Sequence, residues 1–501
     1  MNDSSKTAPR RPISFLIAII LLIFWMSGCM VGPKYQRPSA PVPQAYKEAP
    51  PDSFKEAQGW KQAKPADAVN RGKWWEIYGD PQLNALEEQV NISNQNVLAA
   101  EAQFRQAREV VHAARAALFP TVSAAPGITN SQSSGTLYKG GQLSSLVQQR
   151  TTFTMPFDFS YQADIWGSIR RTVAADVATA QATAAQLENA RLSYQAQLAG
   201  DYFQLHGSDA NVDLLQRTVS SYKDYLDLTR NRFDAGVASD ADVAQAETQL
   251  ETTQAQLIDL EVARAQFEHA IAILTGKPPS ALSIPKLSLK TPPPAIPGAL
   301  PSELLERRPD IATAERQMAA ANEEIGFATA AYYPNITLSA SAGLESSSIT
   351  QWFTWPSRFW SVGPSLAETL FDAGKRHAQV AEARASYDAT VADYRQTVLV
   401  AFQQIEDNLA AMRVLEREAA VQEQAVRSAE RSLDVSTEQY KAGTADYLQV
   451  ITTQAIALQN ERTAVDILTR RMTSSVLLIE ALGGGWNTSD LPSRDAILHG
   501  K

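Results

Sequence analysis

A single cysteine in 501 residues, Cys29, excludes an intrachain disulfide. Beyond residue 28, no apolar run reaches the about 20 residues that a membrane-spanning helix needs, so any crossing of a bilayer has to be made by strands. The five histidines, His112, His206, His269, His377 and His499, are scattered, and none pairs at the helical spacing of a zinc protease. Gly483-Gly484-Gly485 lacks the lysine and hydroxyl of a phosphate loop and reads as a helix stop. Basic residues form no block outside the extreme N-terminus and the net charge is −9, so the basic face that nucleic-acid binding requires is missing. Seven methionines, unclustered after the first segment, argue against a copper-exporting specialist. With these motifs absent, no catalytic residue, resident metal or bound cofactor is expected.

What is present begins with a targeting segment. Lys6, Arg10 and Arg11 precede an apolar run from Ile13 to Trp25, which is too short to span a bilayer. The run ends in Met26-Ser27-Gly28-Cys29, which resembles a bacterial lipobox, with Met26 where Leu is usual. The resemblance implies that Cys29 receives covalent lipid and becomes the first mature residue. Removing residues 1–28 takes away one acid and three bases, moving the net charge from −9 to −11.

The rest of the chain is a tandem duplication. Ala117-Leu118-Phe119-Pro120 reappears as Ala331-Tyr332-Tyr333-Pro334. Gly167 and Gly374, Gly236 and Gly443, and Gly276 and Gly483 close similar motifs at one shared offset of 207 residues. A connector rich in proline, with Pro278, Pro279, Pro285 and Pro292 to Pro294 among others, separates the copies and should be extended. The segment boundaries are then 1–28 signal, 29–80 anchor linker and equatorial segment, 81–277 first repeat, 278–301 connector, 302–485 second repeat and 486–501 a flexible tail.

Each copy reads helix, strand, loop, strand, long helix, turn, helix. In the second copy Tyr387, Val391, Tyr394, Val398, Phe402, Ile405, Leu409 and Met412 recur at spacings of three and four. Val173, Val177, Ala180, Ala184, Leu187, Tyr194, Leu198, Tyr202 and Leu205 repeat the stripe in the first copy, interrupted at Arg191. So narrow a stripe predicts a coiled-coil-like seam. No proline falls between Gly374 and Tyr440, and at about 1.5 Å per residue such a helix is on the order of 100 Å long. The turns at Gly236 and Gly443 fit left-handed C-caps, with Asp240 and Thr444 as N-caps of the returning helices.

Four segments alternate with period two, around Val122–Ile128, Phe153–Tyr161, Ile336–Leu344 and Trp360–Leu366. One apolar and one polar face describes either a half-buried sheet capping a helical stalk or a barrel wall between lipid and water. The export signal, the cysteine and the aromatic cluster Trp352, Phe353, Trp355, Phe359 and Trp360 favour the wall. Four strands cannot close a barrel, and bare edges are not tolerated in hydrocarbon. Three copies would give 12 strands and a lumen, whereas two would give about 8 and a barrel filled by its own side chains.

Taken together, Cys29 to Tyr35, Trp74-Trp75, Asp80-Pro81-Gln82-Leu83-Asn84, Glu306 to Ile311, Leu370 to Gly374 and Tyr440 to Gly443 resemble the TolC-like outer-membrane efflux proteins, in the lipoprotein branch that serves RND multidrug pumps. The resemblance covers essentially the whole mature chain. It implies a mainly α fold with a small β part: long antiparallel helical hairpins in two repeats plus four transmembrane strands per protomer, and a homotrimer with a 12-stranded β-barrel over a 12-helix tunnel. It also implies a periplasmic adaptor and an inner-membrane RND pump as partners, outer-membrane lipid around the barrel, and a closed periplasmic end at the Gly236 and Gly443 turns. Asp446, with Asp240 and Asp242 as alternatives, is the candidate lumen charge; Pro120, Gly167, Pro334 and Gly374 mark strand–helix junctions. The function implied is a passive exit duct for drugs or other small toxic compounds. The readings left beside it are a type I secretion or metal-efflux duct of the same architecture, and a lipid-anchored coiled-coil scaffold or adaptor without a pore.

Overall fold

The computed structural model describes residues 30–43, 45–48, 50–51, 73–132, 134, 138–139, 142–143, 149–296 and 304–499. Cys29 and the signal segment lie outside them. A short turn at Trp74–Tyr78 leads into α1 (Pro81–Ser93) and α2 (Gln95–Ala116). Next come β1 (Thr121–Ala124), β2 (Gly127–Gln132), a two-residue ribbon of β3 (Tyr138–Lys139) and β4 (Gln142–Leu143), and β5 (Gln149–Ala163). The first hairpin is α3 (Ser168–Asp234) and α4 (Asp240–Leu274). The second copy runs through α5 (Leu304–Arg307), α6 (Pro309–Ala330), β6 (Asn335–Ser346), β7 (Arg358–Ala367), α7 (Lys375–Lys441) and α8 (Tyr447–Ala481), with α9 (Arg494–His499) at the end.

Across the two long hairpins the duplication holds to the residue. Helices α3 and α7 are both 67 residues long, α4 and α8 both 35, and all four ranges shift by the same 207 positions. At about 1.5 Å per residue, α3 and α7 each reach about 100 Å. Both long helices start on a left-handed glycine, Gly167 at φ 80° and Gly374 at φ 89°. Both end in the same hydrogen-bonded turn, in which Val237 N donates to Arg232 O and Thr444 N to Gln439 O, with Gly236 and Gly443 left-handed.

The helices form a wall about one helix thick. Near the sheet the lateral order is α2, α3, α6, α7; toward the tips it is α4, α3, α8, α7. The two halves join at a repeated junction. Asn94, the N-cap of α2, donates its Nδ2 to Leu274 O at the end of α4 (2.8 Å). Arg308, the N-cap of α6, donates Nη1 to Ala481 O at the end of α8 (2.9 Å). Each pair thereby satisfies a terminal carbonyl of one helix from the N-cap side chain of another. Arg308 also holds Asp310 with two bonds (3.0 and 2.6 Å) and Gln404 of α7 (2.9 Å), which gives the Arg-Arg-Pro-Asp motif its physical role.

The main core lies at this equator. Trp74, Trp75, Leu83 and Val90 pack with Leu198, Tyr202, Ile311, Val398, Ile405 and Val476, all buried. Asp80 caps α1 through Gln82 N and Leu83 N and accepts from Tyr202 OH (2.7 Å). The connector passes alongside, with Ile284 and Ile296 buried and Leu287 N donating to Asp209 Oδ2 (3.0 Å).

Three sequence-based expectations change. The stripe of α3 is no narrow seam: α3 is the central helix, packed by α1, α2, α4, α6 and α8, and it is buried on several faces, Ala175, Ala182, Ala185, Ala199 and Phe203 included. Arg191 is tolerated within it because Glu188, one turn earlier, accepts two bonds (2.7 and 3.0 Å). The tail read as flexible is docked: Ile497 is buried against Val111, Val173 and Val177, Arg115 Nη1 donates to Leu498 O (2.8 Å), and Gln181 Nε2 donates to Pro492 O (3.0 Å). The N-caps of α4 and α8 are Ser239 and Asp446, not Asp240 and Thr444; Thr444 instead closes the preceding turn with its hydroxyl on Gln439 O (3.1 Å).

Candidate channel wall and helical tip

All strand pairs of the sheet are antiparallel, in the order β1/β2, β5, β6, β7. β1 and β2 are one stave in a single register against β5, interrupted at Ala125-Pro126. There Ala125 N donates to Pro156 O (3.4 Å), and the return bond cannot form because Pro156 has no N–H. The two prolines thus share one break in the ladder, on the side of β5 away from β6. The expected four staves are present, two from each copy, and β5 and β6 join the copies.

Register sorts the side chains. Residues directly opposite point to the same face. One face carries the rows Val122–Phe159–Ala340–Val362, Ala124–Phe157–Ala342–Trp360 and Tyr161–Leu338–Pro364. The other carries Thr121–Ser160–Ser339–Gly363, Ser123–Asp158–Ser341–Ser361 and Gln162–Thr337–Ser365, with Phe359 as an apolar exception opposite Gly343. The apolar face is uncovered: Val122 is 71 %, Val362 72 % and Trp360 76 % exposed. A sheet capping a stalk would bury this face under helices; among the described residues no helix packs on it.

At the sheet–helix junctions Pro120 and Pro334 directly precede β1 and β6. Trp166 donates Nε1 to Pro334 O (2.9 Å) and stacks on Tyr333 with ring centroids 4.7 Å apart. Asp164 accepts from Ile169 N and Arg170 N (both 3.0 Å), and Asp372 accepts from Gly374 N (3.1 Å) and Arg376 N (3.2 Å), so a carboxylate meets the first turn of each long helix. The leader starts here. Val31 N donates to Trp166 O (3.2 Å), Arg171 Nε donates to Val31 O (3.0 Å), and a side chain on Gly167 would run into Met30. From that level the leader descends to the equator through Tyr35 OH on Glu315 (2.5 Å), Arg37 on Tyr394 OH (3.2 Å) and Glu48 on Arg413.

At the far tip Asp446 accepts from Gln449 N (3.0 Å). Asp242 forms a capping box with Ser239, accepting from Ser239 N (2.9 Å) while its own N–H donates to Ser239 Oγ (3.2 Å). Asp240 is the exposed first residue of α4. Among the described residues none of the three is in a salt bridge. What ties the two hairpins together here was not singled out in the sequence. Arg232 lies over the Tyr440 ring at 4.5 Å and donates Nη1 to Tyr440 O (2.8 Å), and Tyr225 OH bonds Thr437 Oγ1 (2.9 Å). Burial, with Tyr440 beside it, pushes the Tyr447 phenol up, so it stays an uncharged hydroxyl in this cluster. In the sequence Tyr440 directly precedes the Lys441-Ala442-Gly443 stop and Arg232 lies two residues before Asp234-Ala235-Gly236, but nothing there shows that the two meet.

Comparison with known proteins gives one answer. The profile of the family described as "Outer membrane efflux protein" matches residues 86–277 and 300–484. The chain is 28 % identical over 473 residues to the probable efflux pump outer membrane protein TtgC of Pseudomonas putida, covering 94 % of this chain and 96 % of that one. It is 30 % identical over 429 residues to the pyoverdine export outer membrane protein OpmQ of Pseudomonas aeruginosa, covering 84 % and 89 %. The solved structure of the outer-membrane channel OprN superposes with a TM-score of 0.81 at 29 % identity, covering 91 % of this chain and all of that one. With a two-faced sheet, paired long hairpins and a family match over most of its length, the chain belongs to the outer membrane efflux protein family and is an outer-membrane efflux channel, not an enzyme.

Proposed function

We propose that three copies of this chain close into the exit duct of a tripartite RND-type system, anchored by lipid on Cys29 and conducting small toxic compounds passively from a pump and adaptor to the exterior. The observation that carries the reading is the open, two-faced sheet. Its edges, β1/β2 and β7, have no strand partner among the described residues, and its apolar face is bare. Hydrocarbon would leave those edge N–H and C=O groups unsatisfied, so β7 must pair with β1/β2 of a neighbour, head to tail, until the ring closes. The helical wall has matching open sides: Ile258 and Val262 on α4 and Val414, Val421 and Val435 on α7 are half or more exposed. Placing Met30 against Gly167, where the sheet meets the helices, supports a lipid on the preceding Cys29 at the inner surface of the bilayer. Asp240, Asp242 and Asp446 remain the candidate lumen charges at the tip.

Purified protein in a planar bilayer, weighed by light scattering in detergent, tests this. A trimer with discrete channel events is expected; a monodisperse monomer without events would end the reading. Deleting the gene should raise drug susceptibility as much as deleting its cognate pump does.

A further inference from the structure

The apolar face of the sheet carries one charged residue among those described. Arg358 opens β7 opposite Leu344, at the outer end of the row that continues through Trp360 and Val362. Its guanidinium lies 3.5 Å over the Trp355 ring, and Trp355 is itself 74 % exposed. Trp352 packs with its ring tilted against Phe153 and Phe353 (centroids 5.5 and 4.8 Å apart). The nearest acid of that hairpin, Glu345, points to the opposite face, where it meets Arg150 (3.9 Å). Stacking uses only the face of a guanidinium and leaves its five edge N–H donors open. An arginine kept on a lipid-facing wall with no partner for its edge among the described residues, inside an aromatic band, is matched by an anion at headgroup depth and by nothing in the hydrocarbon.

We infer that Arg358 and Trp355 form a binding site for the phosphate of an outer-leaflet glycolipid, the guanidinium edge gripping two phosphate oxygens while the lipid's chains lie on Trp360 and Val362. This rests on the membrane placement proposed above. It goes beyond that placement by fixing which face of which strand meets an acidic headgroup.

The test places the full-length trimer in phosphatidylcholine nanodiscs doped with bis-phosphorylated lipid A or with its fully dephosphorylated form, and counts retained lipid by native mass spectrometry. Wild type should retain the phosphorylated form preferentially. Arg358→Gln should lower that preference about tenfold, the loss expected of one bidentate charge-assisted contact, while Arg427→Gln on the distant part of α7 leaves it intact. If Arg358→Gln fails to assemble, Trp355→Leu serves in its place, and the wild-type comparison of the two lipids still decides. Equal retention of both lipids by wild type, or a preference undiminished by either variant, overturns the site. Channel recordings on the same samples separate this failure from failure of the duct itself.

Discussion

Gly276 and Gly483 carry two demands at once. Each is left-handed, at φ 72° and φ 93°, and at each a Cβ would run into a backbone carbonyl across the equatorial junction, Ser93 O and Arg307 O respectively. Gly236 and Gly443 at the tips share the conformation but have open space around them. Forcing Ala into the left-handed region costs about 1–2 kcal/mol by itself, and the clash adds to that only at the junction. Gly483→Ala should therefore lower the thermal midpoint clearly more than Gly443→Ala; equal shifts would show that the junction is not close-packed. The motifs marked all four glycines as helix stops, but sequence cannot distinguish a stop in open water from a stop wedged against another helix. Asp209 shows the same limit. It reads as one more helical acid, yet it is buried on Arg264 Nε (2.7 Å), His206 Nδ1 (3.3 Å) and Leu287 N (3.0 Å). Burial alone would raise its pKa, but these donors outweigh burial and hold it below the usual carboxylate range. A lowered folded value stabilises the protein above the unfolded pKa of about 3.9, and that contribution is lost as pH falls through the folded value. Asp209→Asn should thus destabilise at neutral pH and flatten the acid limb of a stability–pH curve; an unchanged limb would remove Asp209 from the account.

Among the elements, what was legible was what depends on local order. Repeat spacing located the long helices and their returns, and alternation located the staves. The N-caps slipped because Ser239-Asp240 and Thr444-Ala445-Asp446 each offer more than one capping side chain, and only backbone geometry chooses between them. The stripe of α3 was read too narrowly because alanine, its commonest buried residue, serves packed and exposed faces alike. The link between the hairpins was also invisible, because Arg232 and Tyr440 stand 208 positions apart. That link has a testable consequence. Arg232 joins the α3/α4 hairpin to the start of the α7–α8 turn through a cation–π contact and a carbonyl bond, together worth on the order of 1–3 kcal/mol. If the tips form the closed end of the proposed duct, Arg232→Ala should loosen it and raise resting single-channel conductance, whereas Arg427→Ala, an exposed pair with Glu423 within α7, should not. Identical conductance in both variants would mean that the tip is held from elsewhere.

For the whole molecule, the decisive property is that the sheet has two faces and only one is compatible with lipid. Adjacent residues of β7 test it with the smallest possible change of position. Val362 sits in the apolar row with Ala340, and Ser361 sits in the polar row next to Ser341, with Asp158 one strand further on the same face. An arginine on the lipid face near the middle of a barrel strand costs about 2–4 kcal/mol, which the proposed ring of three would incur three times, while on a water-filled lumen it costs little. Val362→Arg should therefore lose heat-stable trimer from the outer-membrane fraction. Ser361→Arg should assemble normally and shift the reversal potential toward anions, because it adds a cation to the same polar face as Asp158. The contrast does not depend on how either side chain packs, only on which way the pleat turns it. If both variants assemble equally, or if the two phenotypes are exchanged, the wall is inside out and the ring of three cannot be built from this sheet.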